Sequence, residues 1–287
     1  MAVNHANTLQ RIKALALDLD GTALLPDTSM GERTVTVLKE LAARGMQVFF
    51  CTGRAIEAAE RYRAAIGASG PMVFFNGAEV VDVPSGRILS STMLDREIVD
   101  FCIDMSRSRN IHFQIYLAPG IIEGADKWEA LLIDRPTPEA EMYRAHTGIV
   151  PIVRDLKEAI AIPGVQGCIK AMFICEPERQ DEIRVKLLER FGDTIYVSRT
   201  FPVFFEVMNA GVSKGEGLKT VMQFRGLRAD EVLALGDEEN DLSMFTVAGF
   251  SAAPVNAREK VRACADFIVA SNAEEGAAAF LEEQFLR

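Results

Sequence analysis

The stretch that most constrains the fold of this chain is the apolar run Ala14–Leu17, which passes directly into Asp18-Leu19-Asp20-Gly21-Thr22. A short, unbroken apolar run is typical of a strand that is buried on both faces of a parallel sheet. Residues two apart on a strand point the same way, so Asp18 and Asp20 are expected to project into one place. Two carboxylates this close do not both stay ionised cheaply without a cation. The stretch therefore predicts either a metal-assisted site at a strand end or a merely solvated turn.

The bulk properties of the chain narrow the classes of protein it can belong to. Its 287 residues exceed the usual size of a single domain, which predicts two domains. The net charge of −10 argues against nucleic acid and anionic membranes as partners. Residues 1–10 have neither the basic flank nor the apolar segment of a secretory signal, and no stretch approaches the roughly 18 apolar residues of a membrane span. We therefore expect a cytoplasmic protein, and the sequence leaves its oligomeric state open.

Cysteine and histidine are too scattered to form the site. The five cysteines include no C-x-x-C pair, which favours reduced thiols over a disulfide framework or a zinc site. The three histidines lie far apart and form no H-x-x-x-H spacing. Carboxylates are therefore expected to carry the chemistry.

Five further, mostly apolar runs are similar to the first and alternate with helical patterns. They are Met46–Cys51, Met72–Phe75, Glu231–Leu235, Phe250–Ala253 and Phe267–Ala270. Capping-box patterns at Ser29-Met30-Gly31-Glu32 and Ser213-Lys214-Gly215-Glu216 predict the starts of two of the helices. Strands that alternate with helices predict parallel βαβ units, so we expect an α/β fold with a doubly wound parallel-sheet core.

The pattern changes after the third apolar run. Residues 111–116 alternate between polar and apolar, which is typical of a half-exposed strand. On such a strand His112, Gln114 and Tyr116 share one face. These polar side chains are explained more readily by a sheet face in contact with solvent than by contact with a substrate. Further strand-like runs and helices follow without the regular βα order. We interpret residues 84–208 as an α+β domain inserted into a core that is formed by residues 1–83 and 209–287.

Five of the six predicted core strands lead into polar residues. These are Asp18 and Asp20, Thr52, Asn76, Asp237, and Ser271 with Asn272. Because ligands of open parallel sheets bind beyond the carboxyl ends of the strands, these residues can converge although they are far apart in the sequence. The carboxylates of Asp18, Asp20 and Asp237 provide the oxygen-rich surroundings that Mg²⁺ prefers. Lys214, the Thr52 hydroxyl and the Gly53 amide can hold the anionic oxygens of a phosphate group.

Two of these acids suit a two-step transfer of a phosphoryl group. Asp18 is held rigidly at the end of its strand, which suits the role of nucleophile, whereas Asp20 suits the role of general acid and base. Each motif also has a simpler interpretation by itself: Thr52-Gly53-Arg54 as an ordinary turn, Lys214 as a solvated residue in the first turn of a helix, and Gly236-Asp237 as a helix cap. Their order along the chain is more specific than any one of them.

In that order, the motifs resemble those of the haloacid dehalogenase superfamily, and specifically of its Cof-type sugar-phosphate phosphatases. The motifs are Asp18-Leu19-Asp20-Gly21-Thr22, Thr52-Gly53-Arg54, Asn76-Gly77, Ser213-Lys214-Gly215, Gly236-Asp237 followed by Asn240-Asp241, and Ser271-Asn272. The resemblance implies a Rossmann-like core, an inserted cap that selects the substrate, and Mg²⁺-dependent hydrolysis of small phosphate monoesters through an aspartyl phosphate.

The same resemblance implies a role for each site residue. Asp18 would be the nucleophile and Asp20 the acid and base, while Thr52, Gly53 and Lys214 would hold the phosphate. Asp18, the carbonyl of Asp20 and Asp237 would hold the metal. Asn240 and Asp241 would complete the site, Asn240 toward the phosphate and Asp241 beside the metal. The cap matches only in length and in its alternation of strands and helices, so the partner is expected to be a small phosphorylated metabolite of open identity.

Three alternatives remain at this point. A sugar phosphomutase would use a related core and cap but return the phosphoryl group to the sugar. A receiver-type phospho-signalling domain also combines strand-end acids with a threonine and a lysine, although its phosphoacceptor lies on a later strand than its acidic pair. A non-catalytic phosphosugar-binding protein would bind the ligand without hydrolysing it.

Overall fold

The computed structural model describes residues 9–118 and 129–287, with the backbone alone at Phe201. Contacts within it divide the chain into two compact units. The first consists of the described residues of Met1–Arg54, together with Ala59–Ser90 and Ser213–Arg287. The second consists of Ala55–Ala58 and the described residues of Ser91–Val212. The second unit is therefore mostly one long segment inserted into the sequence of the first.

A parallel sheet forms the centre of the first unit. Across the sheet, its strands are Phe267–Val269, Phe250–Pro254, Val232–Leu235, Ala14–Leu17 and Gln47–Phe50. The strand Pro71–Phe74 continues this order through a parallel bridge between Cys51 and Val73. All six predicted strands are present, and every residue of Ala14–Leu17 is buried, as its unbroken apolar sequence predicts. The α/β class with a parallel-sheet core is confirmed.

The α-helices of the first unit alternate with these strands in the sequence, and the last helix follows the last strand. They are Glu32–Ala43, Ile56–Ile66 (its first residues belong to the second unit), Lys214–Arg225, Leu242–Phe245, Glu259–Cys264 and Gly276–Phe285. Leu218 and Val221 lie in one apolar cluster with Phe49 and Val232 of the sheet, which fixes the helix Lys214–Arg225. Within residues 9–118 and 129–287, no helix is both long enough and apolar enough to cross a lipid bilayer.

A small antiparallel sheet that the sequence pattern does not reveal follows the parallel one. Pro71–Phe74 pairs with Glu79–Asp82, and Arg87–Ser91 extends this sheet. The turn between the first two strands holds Asn76 and Gly77 in left-handed backbone conformations, with φ of +57° and +104°. The Asn76 amide donates to the carbonyl of Thr52 at 2.9 Å, so the turn joins two of the predicted strand ends.

Of the helix caps predicted at Ser29 and Ser213, only the one at Ser213 is present. Ser213 accepts a hydrogen bond from the amide of Glu216 at 3.1 Å, as its capping box predicts. The helix Glu32–Ala43 instead begins after Gly31, and the Ser29 hydroxyl donates to Asp27. The first turn of this helix is capped from a distant part of the chain, because a carboxylate oxygen of Glu275 accepts the amide of Thr34 at 2.7 Å.

The second unit is an α+β structure around a six-stranded sheet. In order, its strands are Ile195–Phe201, Phe204–Asn209, Lys170–Ile174, His112–Leu117, Ala130–Ile133 and Ile152–Val153. Neighbours are antiparallel except for the last pair. The helices are Arg96–Arg109, Pro138–Thr147, Leu156–Ile160 and Pro177–Phe191, and Leu94–Asp95 pairs with Gly167–Cys168. One face of the sheet shares an apolar core with the helices Arg96–Arg109, Leu156–Ile160 and Pro177–Phe191, and this core includes Cys102, Phe173 and Leu187.

The predicted exposure of the strand around His112 is wrong. His112, Gln114 and Tyr116 are only 8%, 0% and 1% exposed. The Tyr116 hydroxyl is 2.7 Å from the hydroxyl of Tyr143 on the helix Pro138–Thr147, and the hydroxyl of Thr137, which caps that helix, is 2.7 Å from Nδ1 of His112. This helix is not evident in the sequence pattern, and its packing removes the predicted solvated face.

Candidate active site

Asp18 lies directly beyond the buried strand Ala14–Leu17. Its amide donates to the carbonyl of Leu235 at 3.0 Å, which continues the parallel pairing by one residue and fixes the backbone. The residue is 5% exposed. Its Oδ1 atom accepts a hydrogen bond from Lys214 Nζ at 2.6 Å. Asp18 is therefore held both through its backbone amide and through one carboxylate oxygen.

Lys214 connects two buried carboxylates. It is the first residue of the helix Lys214–Arg225, and its ammonium donates to Asp18 Oδ1 and to Asp241 Oδ1, each at 2.6 Å. The side chain is 2% exposed. Burial alone would lower the pKa of Lys214, but the two carboxylates raise it above its ordinary value. The ammonium therefore stays charged.

Asp241 is completely buried and uses both of its oxygens. Oδ1 accepts from Lys214, and Oδ2 accepts the amides of Asp237 at 2.9 Å and Glu238 at 3.0 Å. Gly236 is required beside it, since a Cβ there would lie 2.4 Å from the Asp241 side chain. Asp241 thus fixes both the ammonium and the turn that carries Asp237.

Asp237 packs directly on the loop that follows Asp18. Its Oδ1 accepts the hydroxyl of Thr22 at 3.0 Å. Gly21 adopts a φ of +76°, and a Cβ at this position would lie 2.2 Å from Asp237 Oδ2, so only glycine fits. Burial raises the pKa of Asp237 to about 7, and the nearby Asp241 adds to this effect.

The three buried acids form one cluster. Ligand oxygens of Asp18, Asp237 and Asp241 all lie within 4.8 Å of one another. Burial raises the pKa of Asp18 well above its ordinary value, with Asp241 and Asp237 adding to the effect against the opposing charge of Lys214. Three carboxylates around one ammonium leave an excess of negative charge in a desolvated place. These oxygens fit a hard divalent cation such as Mg²⁺.

Asp20 stands apart from this cluster, although it is two residues from Asp18. Its side chain is 51% exposed, and both of its oxygens accept hydrogen bonds from Arg54. The sequence pattern places Arg54 only in the Thr-Gly-Arg turn and predicts no role for it in the site. Its position directly after Thr52 and Gly53 was the available signal.

A second cluster of polar residues lies around Thr52. The residue is fully buried, and its hydroxyl accepts the amide of Arg54 at 3.1 Å. Asn240 Nδ2 donates to Asn76 Oδ1 at 3.0 Å, and that same oxygen would lie 2.9 Å from a Cβ at Gly53. Asn76 Nδ2 and Asn240 Oδ1 are buried and have no hydrogen-bond partner in the described part of the chain. This side of the site therefore has unused hydrogen-bonding capacity.

Two asparagines brace the loop that carries Asp20 and Gly21. Asn256 Nδ2 donates to the carbonyl of Gly21 at 2.9 Å, and Asn272 Nδ2 donates to the carbonyl of Leu24 at 2.8 Å. The Asn272 amide also donates to Asn256 Oδ1 at 2.9 Å. Asn272 is one of the predicted strand-end residues, whereas Asn256 was not predicted to belong to the site. Both residues contact the loop backbone rather than the acidic cluster.

A family model and individual relatives agree on the family that this chain resembles. A family model described as haloacid dehalogenase-like hydrolase matches residues 15–281. The 5-amino-6-(5-phospho-D-ribitylamino)uracil phosphatase YitU of Bacillus subtilis is 30% identical over 276 residues, which cover 94% of this chain and 97% of the relative. The HMP-PP phosphatase of Serratia proteamaculans is 28% identical over 273 residues, which cover 95% of this chain and 94% of the relative.

Solved structures share the fold over nearly the whole length. A haloacid dehalogenase-like hydrolase from Bacteroides thetaiotaomicron has a TM-score of 0.85 at 24% identity, covering 96% of this chain and 100% of that one. A Thermotoga maritima protein has a TM-score of 0.81 at 27% identity, covering 95% of this chain and 97% of that one. Since the family model spans both ends of the parallel core and the segment inserted between them, the chain belongs to the haloacid dehalogenase-like hydrolases.

Proposed function

We propose that this hydrolase is a phosphatase that hydrolyses small phosphate monoesters through an aspartyl phosphate on Asp18. The observation that carries the proposal is the Asp18 carboxylate at the rigid end of a buried strand, with Lys214 2.6 Å from one oxygen and two further acids within 4.8 Å. Both relatives named above carry the name phosphatase. Two displacement steps replace one slow displacement in such a mechanism.

In the first step, Asp18 attacks phosphorus. Lys214 holds Oδ1, so Oδ2 forms the new bond as the bond from phosphorus to the leaving oxygen breaks. Asp20 gives its proton to that leaving oxygen. In the second step, Asp20 takes a proton from water as the water attacks phosphorus, which releases inorganic phosphate and restores the Asp18 carboxylate. Asp20 suits this exchange because its exposed side chain can reach both the substrate and solvent.

The acidic cluster is proposed to hold Mg²⁺ through Asp18, the Asp20 carbonyl and Asp237. When bound, the ion would offset the repulsion between the Asp18 carboxylate and the phosphoryl oxygens. One oxygen of Asp241 accepts from Lys214 and the other accepts from two amides. We therefore propose that the role of Asp241 is to orient Lys214 and Asp237. This assignment explains why the cluster includes a completely buried carboxylate.

The phosphate is proposed to lie among Lys214, Thr52, the Gly53 amide and Asn240. An ammonium has three N–H donors, and Lys214 uses two of them for Asp18 and Asp241. The third suits a phosphoryl oxygen. Asn76 Nδ2 is a buried donor without a partner among the described residues, which also suits an incoming anion.

The expected substrate is a small phosphorylated metabolite. The names of the relatives refer to phosphorylated compounds of low molecular weight. A net charge of −10 does not favour nucleic acid or an anionic membrane. We propose that the inserted segment, residues 84–208, selects the organic part of the substrate.

The test is the turnover of p-nitrophenyl phosphate by an Asp18→Asn variant in the presence of Mg²⁺. We expect a loss of at least about 1,000-fold in kcat, because the amide is not a nucleophile. Asp27→Asn, in the exposed part of the same loop segment, is the matched control and should keep full activity. A folded Asp18→Asn protein that turns over at the rate of the unmodified protein would refute the proposal. Measuring phosphate release alongside sugar-phosphate isomers separates hydrolysis from a mutase reaction.

A further inference from the structure

The ion pair between Asp20 and Arg54 has an unusually specific geometry. Arg54 Nε donates to Asp20 Oδ2 at 2.7 Å and Nη2 donates to Oδ1 at 2.6 Å, so the guanidinium fork binds both carboxylate oxygens. The Arg54 side chain is 9% exposed, whereas that of Asp20 is 51% exposed. The cation is thus the buried and fixed member of the pair.

The surroundings hold Arg54 from several directions. Its amide donates to the hydroxyl of Thr52 at 3.1 Å, and its carbonyl accepts the amide of Phe75 at 3.1 Å. The guanidinium carbon lies 5.3 Å from the centre of the Tyr62 ring, a cation–π arrangement. The Tyr62 hydroxyl in turn donates to the carbonyl of Thr28 at 2.6 Å. The backbone of Arg54 is therefore held by hydrogen bonds, and its guanidinium by the Tyr62 ring and by Asp20.

Stability alone is a weak explanation for this arrangement. An ion pair with one exposed partner contributes about 0–1 kcal/mol, while burying the guanidinium has a cost of its own. Asp20 also lies on a loop next to Gly21, whose φ is +76°, so its carboxylate is not fixed by regular secondary structure. A fixed guanidinium that binds both oxygens restricts such a carboxylate to one orientation.

We propose that Arg54 is a positioning residue that orients the Asp20 carboxylate for proton transfer, an inference that rests on the proposed function. Both Asp20 oxygens accept from the fork. A carboxylate oxygen has two lone pairs, so each oxygen keeps one that can face the leaving group or water. Arg54 thus acts through Asp20, separately from the phosphate ligands.

Substrates with different leaving groups test this role. Arg54→Gln is compared on an alkyl phosphate, whose leaving oxygen must be protonated, and on p-nitrophenyl phosphate, whose leaving anion is stable. We compare kcat/KM, because it reports the step in which the leaving group departs, whereas hydrolysis of the aspartyl phosphate is common to both substrates. We expect kcat/KM to fall by about 10- to 100-fold on the alkyl phosphate and by less than about 3-fold on p-nitrophenyl phosphate. Arg54→Lys, which keeps the charge but not the fork, should show the same contrast and serves if Arg54→Gln does not fold.

Two controls complete the test. Arg61→Gln removes the other guanidinium that lies over the Tyr62 ring, at 4.6 Å, and should leave both rates unchanged. Asp20→Asn should show the same dependence on the leaving group, and adding Arg54→Gln to it should have little further effect. Equal losses on the two substrates, or additive losses in the double variant, would overturn the inference. If the unmodified protein hydrolyses neither substrate, the proposed function itself fails.

Discussion

Among single residues, Lys214 determines the charge balance of the site. Its ammonium is the buried cation that contacts Asp18 and Asp241, and Asp237 lies within 4.8 Å of both acids. Removing one member of a buried ion pair leaves the other charges uncompensated, which is more costly than losing an exposed pair. The stability of the metal-free protein should therefore depend strongly on this residue.

Replacing Lys214 with methionine tests that dependence. We expect the free energy of unfolding of the metal-free protein to fall by about 3–5 kcal/mol, measured by urea denaturation. Lys219→Met is the matched control, since Lys219 lies on the same helix, pairs with Glu216 at 2.6 Å and is 57% exposed. Its removal should change stability by about 0.5 kcal/mol or less. Similar losses in the free energy of unfolding would show that the buried ion pairs of Lys214 contribute no more to stability than the exposed pair of Lys219.

The sequence predicted which residues approach one another at the site but not how they pair. Strand ends and capping boxes placed Asp18, Asp237 and Lys214 at one edge of a parallel sheet, and the structure brings them together. The motif order assigned Lys214 to the phosphate, whereas its closest partners are two carboxylates. The choice of partner depends on side-chain geometry between separate elements, which are 196 positions apart for Asp18 and Lys214 and 27 apart for Lys214 and Asp241, and no local pattern encodes it. The Asp20–Arg54 pair, 34 positions apart, depends on the same kind of geometry.

At the scale of elements, the turn at residues 75–77 fixes the start of the helix that carries Lys214. Gly77 adopts a φ of +104°, and a Cβ there would lie 2.0 Å from the carbonyl oxygen of Ser213, the cap of that helix. The backbone of the turn therefore lies directly against the backbone at the helix N-terminus. Any side chain at residue 77 would push the two elements apart.

Two glycine substitutions separate this close approach from backbone strain. Gly67 also has a positive φ, of +67°, but a Cβ there would meet nothing within 4 Å. We expect Gly67→Ala to cost about 1 kcal/mol from the left-handed conformation alone. Gly77→Ala should cost several kcal/mol and also lower kcat, because the displaced helix start moves Lys214. Urea denaturation and turnover of p-nitrophenyl phosphate measure the two effects, and equal costs with unchanged turnover would contradict the argument.

Whether an element was predictable depended on its own apolar pattern. The six core strands are continuous apolar runs and were all predicted. The strand Arg87–Ser91 is largely exposed, and the helix Pro138–Thr147 buries little more than Ala140 and Tyr143, so neither has a distinct pattern. Missing that helix caused the error in the exposure of His112. Ser29 lost its predicted cap because Glu275, from the far end of the chain, occupies the helix start.

For the molecule as a whole, the site concentrates negative charge in a protein that already carries a net charge of −10. Asp18, Asp237 and Asp241 are each at most 8% exposed, so solvent screens their mutual repulsion poorly. Folding must bring these carboxylates together even when no cation is present. A cation that binds only the folded cluster should therefore stabilise the fold as well as assist the reaction.

Thermal unfolding in the presence and absence of Mg²⁺ tests this coupling without any measurement of activity. At about 100 times its Kd, a ligand of the folded state contributes about 2.7 kcal/mol, which in a chain of this size raises Tm by several degrees. Addition of a chelator should reverse the rise. Asp237→Asn should lose it because a proposed ligand is gone, whereas Asp230→Asn, an exposed acid shortly before the same strand, should keep it. An equal rise in both variants would place the cation elsewhere, since only Asp237 belongs to the buried acidic cluster.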